Sequence, residues 1–316
     1  MYWGGSGSGA FWGAAATTTT PAASGITPNN DKPLFKKAAA LMAFSSPANS
    51  SAAMAELMHL VVDNYNELVE NTKDPMVDTW LLMSSPWPVF MILACYLYFV
   101  LSLGPKLMAN RKAFHLTGAL IVYNFVQVIF SIFLAYLPFQ ESAFSHLINN
   151  ACSATRTVEF SRALSSGAWW YFFAKVTELL DTIFFVLRKK QNQVTFLHVY
   201  HHTITVLFSW GYLKFIPGEQ GIVIGFLNSL VHIAMYSYYL IAAMGPKYQK
   251  YLWWKRYMTW IQLIQFCLMV AYMLGLLAYD CKLPKALTLF FVGNATVFLF
   301  LFSDFYRKAY IKKKQI

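Results

Sequence analysis

The sequence predicts an all-α polytopic membrane protein with seven transmembrane helices. Of its 316 residues, 57% are hydrophobic and only 12% are charged, which is about half the charged fraction of a soluble domain. Seven apolar runs follow residue 76, and each is close to the ~20 residues with which a helix crosses a bilayer. Basic residues border these runs, as is typical of membrane proteins. The net charge of +11 therefore reflects topology, and we expect no nucleic-acid partner.

Composition divides the chain into four parts. Residues 1–53 are rich in Gly, Ser, Ala, Thr and Pro and are typical of a disordered low-complexity tail. They lack a basic segment leading into an apolar core, so we do not interpret them as a signal peptide. Apolar residues at helical spacing predict an amphipathic or surface helix over 54–75. The membrane domain is expected over 76–306, and a basic tail over 307–316.

The transmembrane helices are predicted from runs with few or no charges. The third run is unusual because it contains Lys175, Glu178 and Asp181. The other runs are uncharged or nearly so, which favours helices that cross the bilayer. The predicted spans are 79–105, 116–140, 167–187, 191–213, 220–245, 257–279 and 286–303.

The basic residues predict the orientation. If the loops alternate sides, 15 of the 25 Lys and Arg residues fall on the side that holds the C-terminus, and nine on the other side. An excess of basic residues marks the cytosolic side, so we expect a cytosolic C-terminus and a lumenal N-terminus. The chain also ends in Lys313-Lys314-Gln315-Ile316, a dilysine pattern typical of proteins returned to the endoplasmic reticulum.

The four cysteines show no CxxC spacing, which argues against a zinc site or a disulfide-rich scaffold. Cys152 and Cys281 both fall in predicted lumenal loops, where a disulfide between them is permitted. Cys95 and Cys267 lie inside predicted spans and are interpreted as packing residues. Asn49 begins a glycosylation sequon on the same lumenal side.

Polar residues inside the spans point to a functional site. His198, His201 and His202 lie within five residues of span four, and the i, i+3 and i+4 spacings place them on neighbouring faces of one turn. A single buried His or Gln is more often a packing residue. A whole set at matching depth favours function, because ionisable groups are costly in a membrane. The other members of the set are Lys175, Glu178, Asp181, Asn228, His232, Thr259, Gln262 and Gln265.

Depth along the spans separates these polar groups from an apolar region. They cluster in the middle and cytosolic parts of the spans, whereas the lumenal halves hold mostly Phe, Leu, Val, Tyr and Ile. We therefore expect a polar reaction site that opens to the cytosol, with an apolar cavity behind it.

Metal chemistry is the first alternative for a histidine cluster. Membrane di-iron desaturases and hydroxylases have about eight or more histidines. This chain has seven, and His59, His115 and His146 lie outside the spans. The remaining four could bind one zinc, but HxxHH lacks the glutamate of HExxH. The sequence therefore favours acid–base or nucleophilic chemistry by neutral imidazoles, with no metal. A transporter or receptor with a buried polar site is a further alternative.

Four segments resemble the signature motifs of one enzyme family. KVTELLDT (175–182), QVTFLHVYHH (193–202), NSLVHIAMYSYY (228–239) and TWIQLIQF (259–266) are similar to those of the very-long-chain fatty acid elongases, the ELO-type 3-oxoacyl-CoA synthases. The motifs occur in the family's order, and the resemblance covers about residues 75 to 316. QKYLWWKRY (249–257) is similar to the animal branch of that family.

The resemblance implies a fold, a reaction and a location. The fold would be seven transmembrane helices, six of them forming a barrel around an acyl tunnel. The reaction would join malonyl-CoA to a long-chain acyl-CoA with loss of carbon dioxide, giving a 3-oxoacyl-CoA two carbons longer without a bound cofactor. The location would be the endoplasmic reticulum membrane. Implied partners are membrane lipid, the ketoacyl reductase, dehydratase and enoyl reductase of the elongation cycle, and a second copy of the chain.

The resemblance also implies roles for individual residues. His201 would accept the acyl group as an acyl-imidazole, and His232 would assist decarboxylation. His198 and His202 would shape and polarise the site. Lys175 would serve a carboxylate or Glu178. Three amide side chains would donate hydrogen bonds to developing oxyanions: Asn228, Gln262 and Gln265. Three basic residues would contact the phosphates of CoA: Lys255, Arg256 and Arg307.

Overall fold

The computed structural model describes residues 75–140, 158–215, 220–279 and 285–311. All of them belong to one of two units of the chain, Asn66–Ile316. Several predictions concern residues outside the described ranges and stay predictions: the tail (1–53), the surface helix (54–75, of which only Pro75 is described), the Cys152–Cys281 disulfide, the Asn49 sequon and the dilysine pair.

The all-α fold is confirmed, since helices make up most of the described residues. A π-helical turn, Phe99–Leu103, joins α2 to α3, and a second one, Arg307–Ile311, follows α10. A 3₁₀ turn, Gln191–Gln193, precedes α6. The α-helices are α1 (Pro75–Asp78), α2 (Trp87–Tyr98), α3 (Gly104–Ala109), α4 (Thr117–Gln140), α5 (Val158–Leu187), α6 (Phe196–Phe215), α7 (Gln220–Ala243), α8 (Pro246–Gln249), α9 (Lys255–Ala278) and α10 (Lys285–Tyr306).

Within the described residues, four helices are long and apolar enough to cross a membrane: Trp87–Ala109, which runs from α2 through α3, then α4, then Gly221–Ala243 of α7, and α9. The multi-pass nature of the chain is therefore confirmed. The polar residues on α5 and α6 make those helices less apolar, and the total of seven spans stays a prediction.

The helices begin at residues that differ from the starts of the predicted spans. The first long helix begins at Trp87 and not at residue 79, because Pro86 and Pro88 favour a helix start. The segment before it turns through Leu82, whose φ is +67°. The helix of the third span begins at Val158, well before the predicted residue 167.

Six long helices close a ring. α4 packs along α7 and α5 along α6, while α9 packs along α10. Contacts of α4 with α5, α6 with α10 and α7 with α9 join these pairs, so the order around the ring is α4, α5, α6, α10, α9, α7. α2, α3 and the π-helical turn between them pack outside the ring against α5 and α6. This is the six-helix barrel that the resemblance implies.

Gly104 lets the outer helix approach the ring. A Cβ at this position would lie 2.7 Å from Val186 Cγ1 on α5 and 2.8 Å from the carbonyl oxygen of Phe99. Both distances are shorter than a Cβ atom can keep from a non-bonded atom. A larger residue at position 104 would therefore push the start of α3 away from α5.

Three side chains of the ring hold the loop between α1 and α2. The indole nitrogens of Trp169 and Trp210 donate to the carbonyl oxygens of Leu81 and Leu82, at 3.1 and 3.0 Å. Lys214 donates to the carbonyl oxygen of Met83 at 2.9 Å, and it also forms an ion pair with Asp78. The fourth predicted span ends at residue 213, which places Lys214 in a lumenal loop, whereas the structure buries its side chain to 6% exposure. Its partners lie more than 100 residues away in sequence, so spacing along the chain could not indicate this contact.

Replacing Lys214 with Met is expected to destabilise the fold. The change leaves a buried carbonyl without its donor and the Asp78 carboxylate without its partner. Removing one partner of a buried pair costs about 3–5 kcal/mol, and the 25% exposure of Asp78 lowers the expected cost to roughly 1–3 kcal/mol. Thermal unfolding in detergent measures the effect, with Lys190→Met as a control because Lys190 is exposed. Equal melting temperatures for the two variants would contradict a structural role for the pair.

Candidate active site

The three clustered histidines lie in the first turns of α6. Thr195 precedes the helix, and its hydroxyl oxygen accepts a hydrogen bond from the His198 amide at 3.2 Å. This is the N-cap arrangement that satisfies a free amide at a helix start. The ring centroids of His198 and His202 are 4.4 Å apart, and those of His201 and His202 are 5.5 Å apart. The cap therefore fixes where the helix begins and which way each imidazole faces.

His198 is held by a short chain of hydroxyl groups. Its Nε2 atom lies 3.0 Å from the Thr182 hydroxyl, which lies 2.9 Å from the hydroxyl of Tyr96. Thr182 is fully buried, and Tyr96 comes from the outer helix α2. His202 lies beside His198, with the two ring planes inclined at 57°, and is also buried. The imidazole of His198 therefore packs toward α5, where it also meets the ring of Phe185 with centroids 5.1 Å apart; the shaping role of His198 and His202 stays a prediction.

His201 faces the interior of the ring. Its imidazole lies 5.0 Å from the ring of Phe298 and 6.3 Å from that of Phe302, measured between centroids. Its Nδ1 atom is buried and has no hydrogen-bond partner among the described residues. Apolar packing therefore holds this ring, and no hydrogen bond to Nδ1 fixes which nitrogen carries the proton.

A buried charge network links α5 to α7. Lys175 Nζ lies 2.9 and 3.2 Å from the two carboxylate oxygens of Glu178, one turn away on the same helix. The Nδ1 atom of His232 lies 3.0 Å from Glu178 Oε1. Lys175 and Glu178 are only 2% and 3% exposed. Their pairing neutralises both charges, and the carboxylate also orients the imidazole of His232.

Asn228 and Tyr171 complete this network. Asn228 Oδ1 accepts hydrogen bonds from Lys175 Nζ at 2.7 Å and from the Tyr171 hydroxyl at 3.0 Å. Lys175 also lies 4.7 Å from the centroid of the Tyr171 ring. Tyr171 is not among the predicted site residues. Its position four residues before Lys175, on the same face of α5, is the signal that could have identified it.

Asp181 has a partner of its own. The hydroxyl of Tyr236 donates to Asp181 Oδ2 at 2.8 Å, and Tyr236 is fully buried. The Tyr236 ring meets the His232 ring edge to face, with centroids 5.6 Å apart. Tyr236 was also missed in the sequence, although it lies four residues after His232 within the same motif.

A cavity of about 280 Å³ lies inside the ring of helices, beside His201. Its lining residues come from the later parts of α4, α6 and α9 and from the earlier parts of α5, α7 and α10. The cavity therefore extends from His201 toward the end of the barrel where those parts meet, and this is the end predicted to be apolar. Most of its wall is apolar, while its polar lining includes His201, Tyr171, Asn228, Gln265 and Asn294.

The predicted amides divide between two environments. Gln265 lines the cavity and points its Nε2 atom at the sulfur of Met269, 3.7 Å away. Gln262 does not line the cavity, and its Nε2 atom lies 4.0 Å from the sulfur of Met235. Of the two, only Gln265 is placed to meet a molecule in the cavity.

The three basic residues predicted to bind CoA lie on the surface. Lys255 and Arg256 are exposed at the start of α9. Arg307 follows α10 and donates to Asp304 at 3.1 Å, with a side chain that is 62% exposed. None of them lines the cavity.

The described ranges contain no group of three or more His, Cys, Asp or Glu side chains placed to hold a metal ion. Two of the four predicted histidines have one ring nitrogen in a hydrogen bond, His198 with Thr182 and His232 with Glu178. The expectation that no metal or cofactor is bound stays a prediction.

Comparison with known proteins identifies the family. A model described as "ELO: GNS1/SUR4 family" matches residues 81–316. The chain is 45% identical to very long chain fatty acid elongase 7 of Drosophila melanogaster, over 82% of this chain and 79% of that protein. It is 44% identical to very long chain fatty acid elongase 7 of Rattus norvegicus, over 84% and 95% of the two chains. It is 39% identical to very long chain fatty acid elongase 4 of Homo sapiens, over 82% and 84%.

These matches confirm the resemblance carried by the four motifs. They cover the whole of the helical ring, including the histidine turn and the Lys175–Glu178–His232–Asn228 network. The chain belongs to the ELO (GNS1/SUR4) family.

Proposed function

We propose that this protein is the condensing enzyme of very-long-chain fatty acid elongation, a 3-oxoacyl-CoA synthase. It joins malonyl-CoA to a long-chain acyl-CoA, releases carbon dioxide and CoA, and gives a 3-oxoacyl-CoA two carbons longer. Family membership and the names of its relatives support elongation. The observation that carries the chemistry is the position of His201, whose buried imidazole lies where the apolar cavity meets the histidine turn.

The first step of the proposed reaction forms an acyl-imidazole. A nitrogen of His201 attacks the thioester carbon of acyl-CoA, the carbon–sulfur bond breaks, and the CoA thiolate leaves with a proton. An imidazole held by Phe298 and Phe302, with no hydrogen bond at Nδ1, keeps a nitrogen lone pair available for this attack. The acyl chain then occupies the cavity. One narrow cavity can hardly hold two CoA thioesters at once, so a covalent acyl group frees the mouth for malonyl-CoA.

The second step forms the new carbon–carbon bond. Malonyl-CoA loses carbon dioxide, and the resulting enolate carbon attacks the acyl carbonyl while the bond to His201 breaks and the leaving imidazole takes up a proton. His232 is suited to assist. Its Nδ1–H donates to Glu178, so a proton held at Nε2 makes that atom the donor that orients the malonyl carboxylate or the enolate oxygen.

Asn228 is suited to stabilise negative charge on oxygen. Its Oδ1 atom already accepts from Lys175 and Tyr171, which directs its Nδ2 donors elsewhere. Asn228 also lines the cavity that His201 lines. Fixed donors of this kind lower the barrier for reactions that develop an oxyanion, and Gln265 is another amide that lines the cavity.

The remaining parts of the proposal concern the surroundings of the site. The reaction needs no bound cofactor, because both substrates carry their own activating thioester. Lys255, Arg256 and Arg307 are proposed contacts of the CoA phosphates at the cytosolic mouth. The 3-oxoacyl product requires reduction, dehydration and a second reduction, so we propose the corresponding enzymes of the endoplasmic reticulum membrane as partners.

Replacing His201 with Ala is expected to abolish the acyl adduct and to lower the rate of condensation by roughly 10²- to 10⁴-fold, the range that a positioned reacting side chain supplies. Intact mass after incubation with acyl-CoA alone measures the adduct. Release of carbon dioxide from labelled malonyl-CoA measures the overall reaction. His115→Ala is the matched control, because His115 is exposed and lies outside the barrel interior. An adduct that persists in His201→Ala would move the nucleophile elsewhere.

Replacing Glu178 with Gln is expected to separate the two steps. Without the carboxylate charge, His232 keeps at most a weaker, neutral acceptor, so the second step slows while the adduct on His201 still forms. Because Gln leaves Lys175 as an uncompensated buried charge, the double variant Lys175→Met/Glu178→Gln is measured in parallel. Time courses of adduct formation and of its consumption by malonyl-CoA report the two steps. Equal losses in both steps would contradict a role specific to His232.

A further inference from the structure

The wall that α10 gives to the cavity carries a polar side chain among apolar ones. Of its cavity-lining residues, Phe291, Ala295 and Phe298 are apolar. Asn294 also lines the cavity, and its Oδ1 atom accepts a hydrogen bond from the Tyr200 hydroxyl of α6 at 2.9 Å. Its Nδ2 atom has no hydrogen bond to any of the described residues. The two N–H donors of this amide are therefore available to a molecule in the cavity.

Ring contacts between α6 and α10 show how deep Asn294 lies. His201 lies 5.0 Å from Phe298, and Phe208 lies 5.8 Å from Phe291, measured between ring centroids. Residue numbers that increase along α6 thus meet numbers that decrease along α10, so the two helices are antiparallel. Asn294 lies between these two contacts, four residues from Phe298 and three from Phe291. It is therefore about one helical turn deeper in the barrel than the His201 ring.

Thr205 places a polar side chain of α6 at the same depth. It lies four residues after His201 and also lines the cavity. Its hydroxyl donates to the carbonyl oxygen of His201 at 2.8 Å, so the hydroxyl oxygen keeps lone pairs that can accept a hydrogen bond. Asn294 and Thr205 thus offer donors and an acceptor to one level of the cavity. An alcohol group, which both donates and accepts, matches this pair.

We propose that Asn294 and Thr205 bind a hydroxyl group near the thioester end of the acyl chain, so that the protein takes 3-hydroxyacyl-CoAs as substrates. Condensation with malonyl-CoA would give the 5-hydroxy-3-oxoacyl-CoA two carbons longer. This inference rests on the proposed function, because it assigns the cavity to an acyl chain that starts at His201.

The depth of the pair indicates which carbon carries the hydroxyl group. Four residues of helix span about 6 Å at 1.5 Å per residue. Each carbon of an extended chain adds about 1.3 Å for a C–C bond of ~1.5 Å, so about the fifth carbon reaches this level. A hydrogen bond adds about 2.8 Å of reach, which brings a hydroxyl group on the third carbon within range of Asn294.

The next level of the cavity is aromatic. Phe208 and Phe291 both line it, seven residues beyond His201 and Phe298 on their own helices. About the eighth carbon of an extended chain reaches this level. A hydroxyl group buried there without a hydrogen bond costs free energy. The position of the hydroxyl group along the chain therefore decides how well the chain is accepted.

Two isomeric substrates test the subsite, a 3-hydroxyacyl-CoA and an 8-hydroxyacyl-CoA of the same length. In the wild-type protein, kcat/KM is expected to be roughly 3- to 10-fold higher for the 3-hydroxy isomer, the gain from a neutral hydrogen bond. Asn294→Leu and Thr205→Val are each expected to remove most of this preference. Tyr200→Phe is expected to reduce it, because the amide loses the bond that orients it.

Thr296→Val is the matched control for Thr205→Val. The Thr296 hydroxyl also donates to a carbonyl one turn back, that of Val292 at 2.7 Å, but Thr296 does not line the cavity. This variant should keep the wild-type preference. Equal values for the two isomers in the wild type would overturn the proposal. So would a preference that survives in Asn294→Leu while both isomers lose rate equally, since that result assigns the amide to the carbonyl that both isomers share.

A binding measurement separates this inference from the proposed reaction. Thermal stabilisation by the same two isomers reports binding independently of turnover. A preference for the 3-hydroxy isomer that Asn294→Leu removes, in a wild-type protein that forms no 3-oxoacyl product, would overturn the proposed function and support the subsite. Equal stabilisation of the wild-type protein by both isomers would overturn the subsite even if condensation occurs.

Discussion

The structure depends on keeping Lys175 and Glu178 paired inside a helical barrel. Transfer of either charge out of water costs several kcal/mol, and a buried pair offsets that cost only with good geometry and further hydrogen bonds. His232 and Asn228 supply those bonds from α7. The distance between α5 and α7 is thereby set by hydrogen bonds of 2.7 to 3.0 Å. Because α7 also packs against α4 and α9, this distance constrains the shape of the whole ring.

The histidine turn uses helical geometry to face two regions at once. His198 points toward α5, where it meets the Thr182 hydroxyl, which in turn meets Tyr96 of α2. His201 lies one position earlier than His202 and therefore turns toward the cavity. A single turn of α6 thus carries His198, whose imidazole is hydrogen-bonded, and His201, whose Nδ1 atom has no hydrogen-bond partner among the described residues. The HxxHH spacing provides a rigid support for one imidazole that remains unbonded at Nδ1.

Local spacing predicted much of the site, whereas contacts across the barrel could not be predicted. The Lys175–Glu178 pair follows from an i, i+3 spacing, and the neighbouring histidines follow from HxxHH. Tyr171 and Tyr236 were missed because their partners, Asn228 and Asp181, lie on other helices of the ring. The periodicity of a single sequence predicts each helix and its faces. It does not predict which helices are neighbours in the ring.

The helix ends were predicted less well than the existence of the helices. Hydropathy placed the first span at residue 79, but the prolines at 86 and 88 delay the helix to Trp87. It also placed Lys214 just outside the fourth predicted span, 191–213, because a lone lysine is usually taken to mark the end of an apolar run. Its partner Asp78 and the Met83 carbonyl come from a separate loop. A charge at the edge of a run is therefore ambiguous until its partner is known.

An acyl-imidazole reacts readily with water, so the proposed intermediate needs a dry site. Phe298 and Phe302 cover the His201 ring, and the cavity behind it is mostly apolar. Excluding water from such a site also strengthens the electrostatic interactions inside it. The nearest charges, those of Lys175 and Glu178, neutralise one another. The same arrangement that makes burial of the charges tolerable therefore leaves the neighbourhood of His201 with little net charge and little water, which is the environment that a reactive acyl group requires.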